Sequence, residues 1–126
     1  MLKDTKAYSG FSVNDLDAAK KFYGETLGVD LKESGPGIVL LIPNSNGVLI
    51  YPKDDHVPAT YTALNFPVDD IDVVVDELAG KGVAFEHYEG MTDEKGIARG
   101  IASNRGPDIA WFKDPAGNIL SVLHEA

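Results

Sequence analysis

Phe11-Ser12-Val13-Asn14-Asp15-Leu16-Asp17 recurs as Phe66-Pro67-Val68-Asp69-Asp70-Ile71-Asp72, at an offset of 55 residues. Four of the seven positions are identical, and the pairs Asn14/Asp69 and Leu16/Ile71 are conservative. Each copy passes from a strand-like stretch into a helix start, with a capping side chain ahead of apolar residues at helical spacing. The register holds, within one residue, as far as Gly28-Val29 and Gly82-Val83. A repeat that carries a whole order of elements marks a duplicated unit.

Outward from the repeat, the spacing predicts a first helix from about Asp15 to Leu27, capped by Asn14 and stopped by Gly28. Its apolar stripe is Leu16, Ala19, Phe22, Tyr23 and Leu27. A second helix is predicted from Asp70 to Lys81, capped by Asp69 and stopped by Gly82, with Ile71, Val74, Val75 and Leu78 inward. The rest reads as strands at about 7–13, 29–33, 37–43, 47–52, 61–68, 83–88, 97–103, 108–113 and 118–124. Asn44-Ser45-Asn46-Gly47, Asp114-Pro115-Ala116-Gly117-Asn118 and Ser34-Gly35-Pro36-Gly37 read as turns. The polar stretch Glu89 to Gly96 is expected to be a flap or slack. The reading is an α+β fold of two β-α-β-β-β modules, residues 7–52 and 61–124, in one domain over 1–126.

Composition narrows the function classes. A chain of 126 residues with 44% hydrophobic and 25% charged residues can build a core without staples. There is no cysteine, which removes disulfides, thiolate zinc sites, iron–sulfur clusters and cysteine nucleophiles. Eleven basic against 20 acidic residues give a net charge of −9. Only Arg99 and Arg105 supply guanidinium groups, so nucleic acid is not an expected partner, and an anionic membrane surface would repel the chain. The longest apolar run, Ile38 to Ile42, is far short of a membrane span, and Met1-Leu2-Lys3-Asp4 lacks a signal-peptide core. The expected location is cytoplasmic.

Val13-Asn14-Asp15 through Phe22-Tyr23 to Leu27-Gly28, then Phe66-Pro67-Val68-Asp69-Asp70 with Leu78, and last Phe112-Lys113-Asp114-Pro115-Ala116-Gly117-Asn118, resemble the vicinal oxygen chelate superfamily. That superfamily holds glyoxalase I, extradiol dioxygenases and the bleomycin-resistance binding proteins. The resemblance covers nearly the whole chain and rests on caps, turns and helix packing, which specify fold more than chemistry. It implies that each module curls its sheet into half of an open barrel around a cleft. It also implies that metal-dependent members place one His, Gln or Glu on each of four strands, where a divalent ion polarises substrate oxygens.

Carried onto this chain, the first-strand ligand position, seven residues before the helix-start aspartate, falls on Tyr8 and, in the second copy, on Ala63. The last-strand glutamate position, four residues after Gly117, falls on Ser121, and its first-module equivalent on about Tyr51. Tyrosine is a rare ligand, and alanine and serine cannot replace imidazole or carboxylate. The expectation is therefore a vacated metal site and no cofactor. By the period of two, Tyr8, Gly10 and Ser12 face the cleft if Phe11 and Val13 pack on the first helix. Ala63, Asn65 and Pro67 follow in the second copy, and Leu49, Tyr51, Ser121 and Trp111 join them. A cleft carrying Tyr8, Tyr51 and Trp111, with Asn65 and Ser121 as polar handles, suits an aromatic or amphipathic ligand.

His56, His87 and His124 match no ligand position of the family and share no metal spacing, so they read as surface or edge residues. Asp54-Asp55 reads as a solvated turn before a cation site, and Arg99 and Arg105 as surface residues before anion capture. Ser121 and His124 lie three apart on a strand, on opposite faces, which disfavours a nucleophile–base pair. Two functions remain. One is a metal-free protein that sequesters a small aromatic or cationic molecule, in the manner the bleomycin-resistance branch implies. The other is a glyoxalase-like lyase or isomerase, or a dioxygenase, drawing ligands from His56, His87 or Glu86. The resemblance further implies a homodimer.

Overall fold

Asp15 and Asp70 open the two helices of the chain, which is described here over residues 1–126 by a computed structural model. Their backbones are extended and nearly superimposable, at φ −136°, ψ 104° and φ −135°, ψ 98°. The Asp15 carboxylate accepts the Ala18 N–H at 3.1 Å, and the Asp70 carboxylate accepts that of Val73 at 3.2 Å. The expected caps, Asn14 and Asp69, lie one residue outside. A capping oxygen must reach an amide two or three residues on, and in each Asn/Asp-Asp pair the second residue has that geometry. At the far ends Gly28 and Gly82 take left-handed φ of 72° and 92°, the stop expected of them.

The first helix is not regular. α1 (Leu16–Lys20) widens into a π-helical segment (Lys21–Thr26), in which Leu27 N–H donates to Phe22 C=O at 2.9 Å. The wider turn carries Tyr23 wholly inward, where its ring lies 5.2 Å from Phe22, edge-on, and 6.3 Å from Phe11. α2 (Ile71–Gly80) is regular and buries Ile71 and Val75.

The chain divides into two compact units, Met1–Pro58 and Ala59–Ala126, each with one helix and one four-stranded mixed sheet. In the first unit β1 (Ser9–Val13), β2 (Asp30–Ser34), β3 (Gly37–Leu41) and β4 (Val48–Pro52) lie in the order β1-β4-β3-β2. In the second, β5 (Thr62–Pro67), β6 (Ile97–Arg99), β7 (Asp108–Lys113) and β8 (Ile119–His124) lie in the order β5-β8-β7-β6. First and last strands pair in parallel, β1 with β4 and β5 with β8, and all other pairs are antiparallel. Sheet order and pairing sense are the same in both copies, and the α+β class stands. No helix is long and apolar enough to cross a membrane.

Residues 83–88 and 97–103, expected as separate strands, are parts of one broken edge. Phe85 makes only an isolated bridge to Phe112, with Glu86 N–H donating to Trp111 C=O at 2.8 Å. Ile97, Ala98 and Arg99 then continue along β7 opposite Ala110, Ile109 and Asp108. Between them residues 87–96 leave the sheet and return, so three strands, not four, follow α2.

Alternation along the strands builds each core. Val13, Ile38, Leu40 and Ile50 are buried with Ala19 and Tyr23 in the first unit. Ala110, Phe112, Leu120 and Val122 are buried with Ile71 and Val75 in the second, and Phe85 meets Phe112 at 5.5 Å. Each such large side chain contributes about 1.5–3 kcal/mol. The β7–β8 turn is held by a buried carboxylate. Asp114 Oδ1 accepts from Ala116 N–H at 3.0 Å and Asn118 N–H at 2.8 Å, and Oδ2 accepts from Asn118 Nδ2 at 3.0 Å. Removing the acceptor strands the buried Asn118 donors, so Asp114→Ala is expected to lower stability by about 2–4 kcal/mol in urea unfolding. A loss below about 0.5 kcal/mol would show that the turn stands without its carboxylate.

Candidate functional site

In the second unit the buried partners of α2 occupy one face of the sheet, and the alternate residues occupy the other. Register sets Asn65 opposite Ser121, and Ser121 opposite Trp111, in one row across β5, β8 and β7. The buried Ser121 hydroxyl donates to Asn65 Oδ1 at 2.5 Å. That bond fixes the Asn65 amide and leaves its NH2 group, which makes no hydrogen bond in the protein, as a donor.

The pairing of β5 shifts register at Ala63, so strand alternation does not set the face it takes. Thr62 pairs with Ile119 and Leu64 with Leu120, leaving Ala63 as the extra residue. Thr62 therefore shares the face of Ile119. Around Trp111 a cavity of about 330 Å³ is lined by Tyr61, Thr62, Tyr88, Met91 and Ile119, together with Thr60. The Tyr88 ring stands edge-on to Trp111 at 5.7 Å, while Tyr61 is 71% exposed and Met91 59% exposed. Tyr61, Thr62, Tyr88, Met91 and Ile119 were not among the expected site residues. Their only sequence signal is the gathering of Tyr88 and Met91 in the polar stretch between two pieces of the edge strand.

In the first unit Ser12 is the cross-strand partner of Tyr51, and Gly10 that of Leu49. Tyr8 lies before β1 begins and is 64% exposed, so strand alternation does not place it. His56, expected as a solvated loop residue, is half-buried, with its Nδ1 2.6 Å from Ser12 Oγ. The two residues are 44 positions apart, and no pattern in the sequence joins them. Asp55 pairs with Lys53 at 2.9 Å on the surface.

Each histidine is engaged within its own unit. Both ring nitrogens of His87 face backbone carbonyls, Phe85 at 3.0 Å and Glu94 at 3.1 Å, so the ring is a strut of the 87–96 segment. His124 Nδ1 lies 3.0 Å from Val68 C=O. No group of three or more His, Asp or Glu side chains is gathered where an ion could be held. Tyr8, Tyr51, Ala63 and Ser121 offer no imidazole or carboxylate at the positions that resemblance assigned.

The description "Glyoxalase/Bleomycin resistance protein/Dioxygenase superfamily" matches residues 7–122. The chain belongs to that superfamily. Among solved structures, TnmS3, an antibiotic binding protein from Streptomyces sp. CB03234, is 22% identical with a TM-score of 0.73, over 100% of this chain and 99% of that one. A superfamily member from Sphaerobacter thermophilus DSM 20745 is 22% identical with a TM-score of 0.71, over 99% and 100% of the two chains. A glyoxalase/dioxygenase from Nostoc punctiforme is 16% identical with a TM-score of 0.69, over 98% and 92%. At these identities the likeness is one of fold. No curated protein matches the chain.

On this superfamily scaffold the 87–96 segment, of which Glu89 to Gly96 is expected as flap or slack, is tied down on both sides. Thr92 Oγ1 accepts the Tyr88 N–H at 2.8 Å. The Asp93 carboxylate accepts the Lys95 and Ile97 N–H groups, each at 2.9 Å, and Arg99 Nε at 3.1 Å. The Arg99 fork closes on Asp72 of α2 at 2.8 and 2.9 Å, and Lys95 reaches Asp72 at 3.3 Å and Asp76 at 3.2 Å. The Arg99 fork, with Lys95 beside it, holds the Asp72 carboxyl well below the usual carboxylate range. Burial works to raise Asp93, but the Ile97 and Lys95 amides and Arg99 together leave it lowered. Both carboxyls bind protons less readily folded than unfolded. Their stabilisation is thus full above the unfolded value of about 3.9 and is lost as pH falls through the lower folded values. The melting temperature is expected to drop between about pH 5 and pH 2, and to drop less in Asp72→Asn. Equal drops in the two proteins would show that the network carries none of the acid sensitivity.

Proposed function

We propose that the protein binds and sequesters a small aromatic molecule, without a metal ion or other cofactor, on the helix-free face of its second unit. The observation that carries this reading is the cavity around Trp111. Tyr61, Tyr88 and Met91 supply apolar wall, Trp111 supplies a wide ring already in T-shaped contact with Tyr88, and the Asn65 amide supplies a donor on the same face. Sequestration requires affinity alone, so residues that fail as ligands at Ala63 and Ser121 take nothing from it. A structural neighbour described as an antibiotic binding protein supports the same class of function. In the first unit Ser12 and Tyr51 are cross-strand partners with Leu49 two residues before Tyr51 on the same strand, and Tyr8 is an exposed ring before β1; we assign them to a second binding face.

Trp111 is the only tryptophan, so its fluorescence reports the cavity directly. A neutral two-ring probe such as 2-naphthamide is expected to quench it saturably, and Trp111→Ala is expected to weaken binding about tenfold by calorimetry, near the upper range of an aromatic contact. Protein purified without a histidine tag is expected to carry no stoichiometric metal and to show no thermal shift with Ni²⁺, Zn²⁺, Mn²⁺ or Fe²⁺. A native-state ligand at a hundredfold excess over Kd would stabilise by about 2.7 kcal/mol, so a real site could not escape this measurement. Bound metal with a shift would overturn the metal-free reading.

The protein is further proposed to be a homodimer. Light scattering is expected to give about twice the chain mass of 13.5 kDa, and a mass equal to one chain would defeat it.

A further inference from the structure

A second cavity of about 480 Å³ is lined by Met91, Ala98, Gly100, Ser103, Arg105 and Trp111, among others. It shares Trp111 and Met91 with the aromatic cavity, so the two adjoin across one indole. The chain has two arginines, and the structure treats them differently. Arg99 is spent on Asp72 and Asp93, and these carboxylates raise its already high proton affinity further. The Arg105 guanidinium makes no ion pair and no hydrogen bond with any part of the protein.

The turn that carries Arg105 is nevertheless fixed. Arg105 N–H donates to Gly100 C=O at 2.8 Å, and Ile101 N–H donates to Asp108 Oδ1 at 3.1 Å, so backbone bonds pin the turn at both ends. Gly100 admits the close approach of the returning chain, since a Cβ there would lie 2.3 Å from Pro107 O. A guanidinium is a planar five-donor fork that matches a carboxylate in two parallel hydrogen bonds. Beside an indole, such a pair adds charge pairing to ring contact with the same ligand. The net charge of −9 does not cancel it, because repulsion between exposed charges is screened beyond about 8 Å at physiological salt.

We propose that the ligand is an aromatic carboxylate, its rings over Trp111 and its carboxylate on Arg105. The inference rests on the sequestration reading above and narrows it, setting aside a cationic ligand. Arg105 is then the residue that determines specificity.

The test titrates three probes with one ring system, 2-naphthoate, 2-naphthamide and 2-naphthylmethylammonium, into the wild-type protein, Arg105→Gln and Arg105→Lys by calorimetry. Thermal melts establish that both variants are folded. In the wild type the carboxylate is expected to bind at least tenfold more tightly than the amide and the ammonium most weakly. Arg105→Gln is expected to erase the preference, Arg105→Lys to keep most of it, and added salt to narrow it. Equal affinities for the carboxylate and the amide, or a preference that survives Arg105→Gln, would overturn anion selection and leave aromatic sequestration standing. Failure of all three probes to bind would overturn both.

Discussion

The parallel pairing of first and last strands governs each unit. β1 cannot reach β4, nor β5 reach β8, through a tight turn, because parallel neighbours need a crossover. The crossover here is the helix together with the two strands after it, and it deposits the helix on one face of the sheet. That face becomes core: Leu120 and Val122 of β8 and Ala110 and Phe112 of β7 are buried with Ile71 and Val75. The opposite face has no element of its own unit to cover it. Trp111, Ile119 and the Asn65–Ser121 pair lie there because their neighbours in sequence were taken by the core.

The second unit departs from the first mainly at its edge strand. Interrupting that strand between Glu86 and Ile97 sends ten residues out of the plane, and these bring Tyr88 and Met91 to Trp111. An excursion of this length would ordinarily be mobile. Here the His87, Thr92 and Asp93 side chains bond local backbone groups, and Arg99 couples the segment to α2. Exposed ion pairs contribute little singly, but a bidentate arginine shared between two carboxylates is the arrangement most able to hold geometry. The wall of the cavity is therefore positioned by charge pairing on the helix side of the sheet.

How far the sequence revealed this follows from the range of each interaction. The duplication, both helices and most strands were legible because caps, left-handed glycines and alternation act within a few residues. Asp15 and Asp70 were displaced by one position, since Asn-Asp and Asp-Asp each offer two capping side chains and only backbone angles choose between them. The Ala63 bulge was not legible: it exists as a mismatch of register with β8, more than fifty residues away. The same holds for Ser12 with His56 and for the edge bridge of Phe85 with Phe112. Trp111, Asn65 and Ser121 could be placed together because a regular hairpin and one parallel pair carry parity across the sheet without interruption.

Net charge was the weakest guide to the ligand. A balance of −9 suggests affinity for cations, yet a binding cavity responds to the charges that line it and to whether those charges are already paired. Three acidic residues beside the edge strand, Asp72, Asp76 and Asp93, are engaged by Arg99 and Lys95. That pairing takes up one of the two guanidiniums. What remains beside Trp111 without a protein partner is the second guanidinium, that of Arg105, a charge opposite in sign to the chain's.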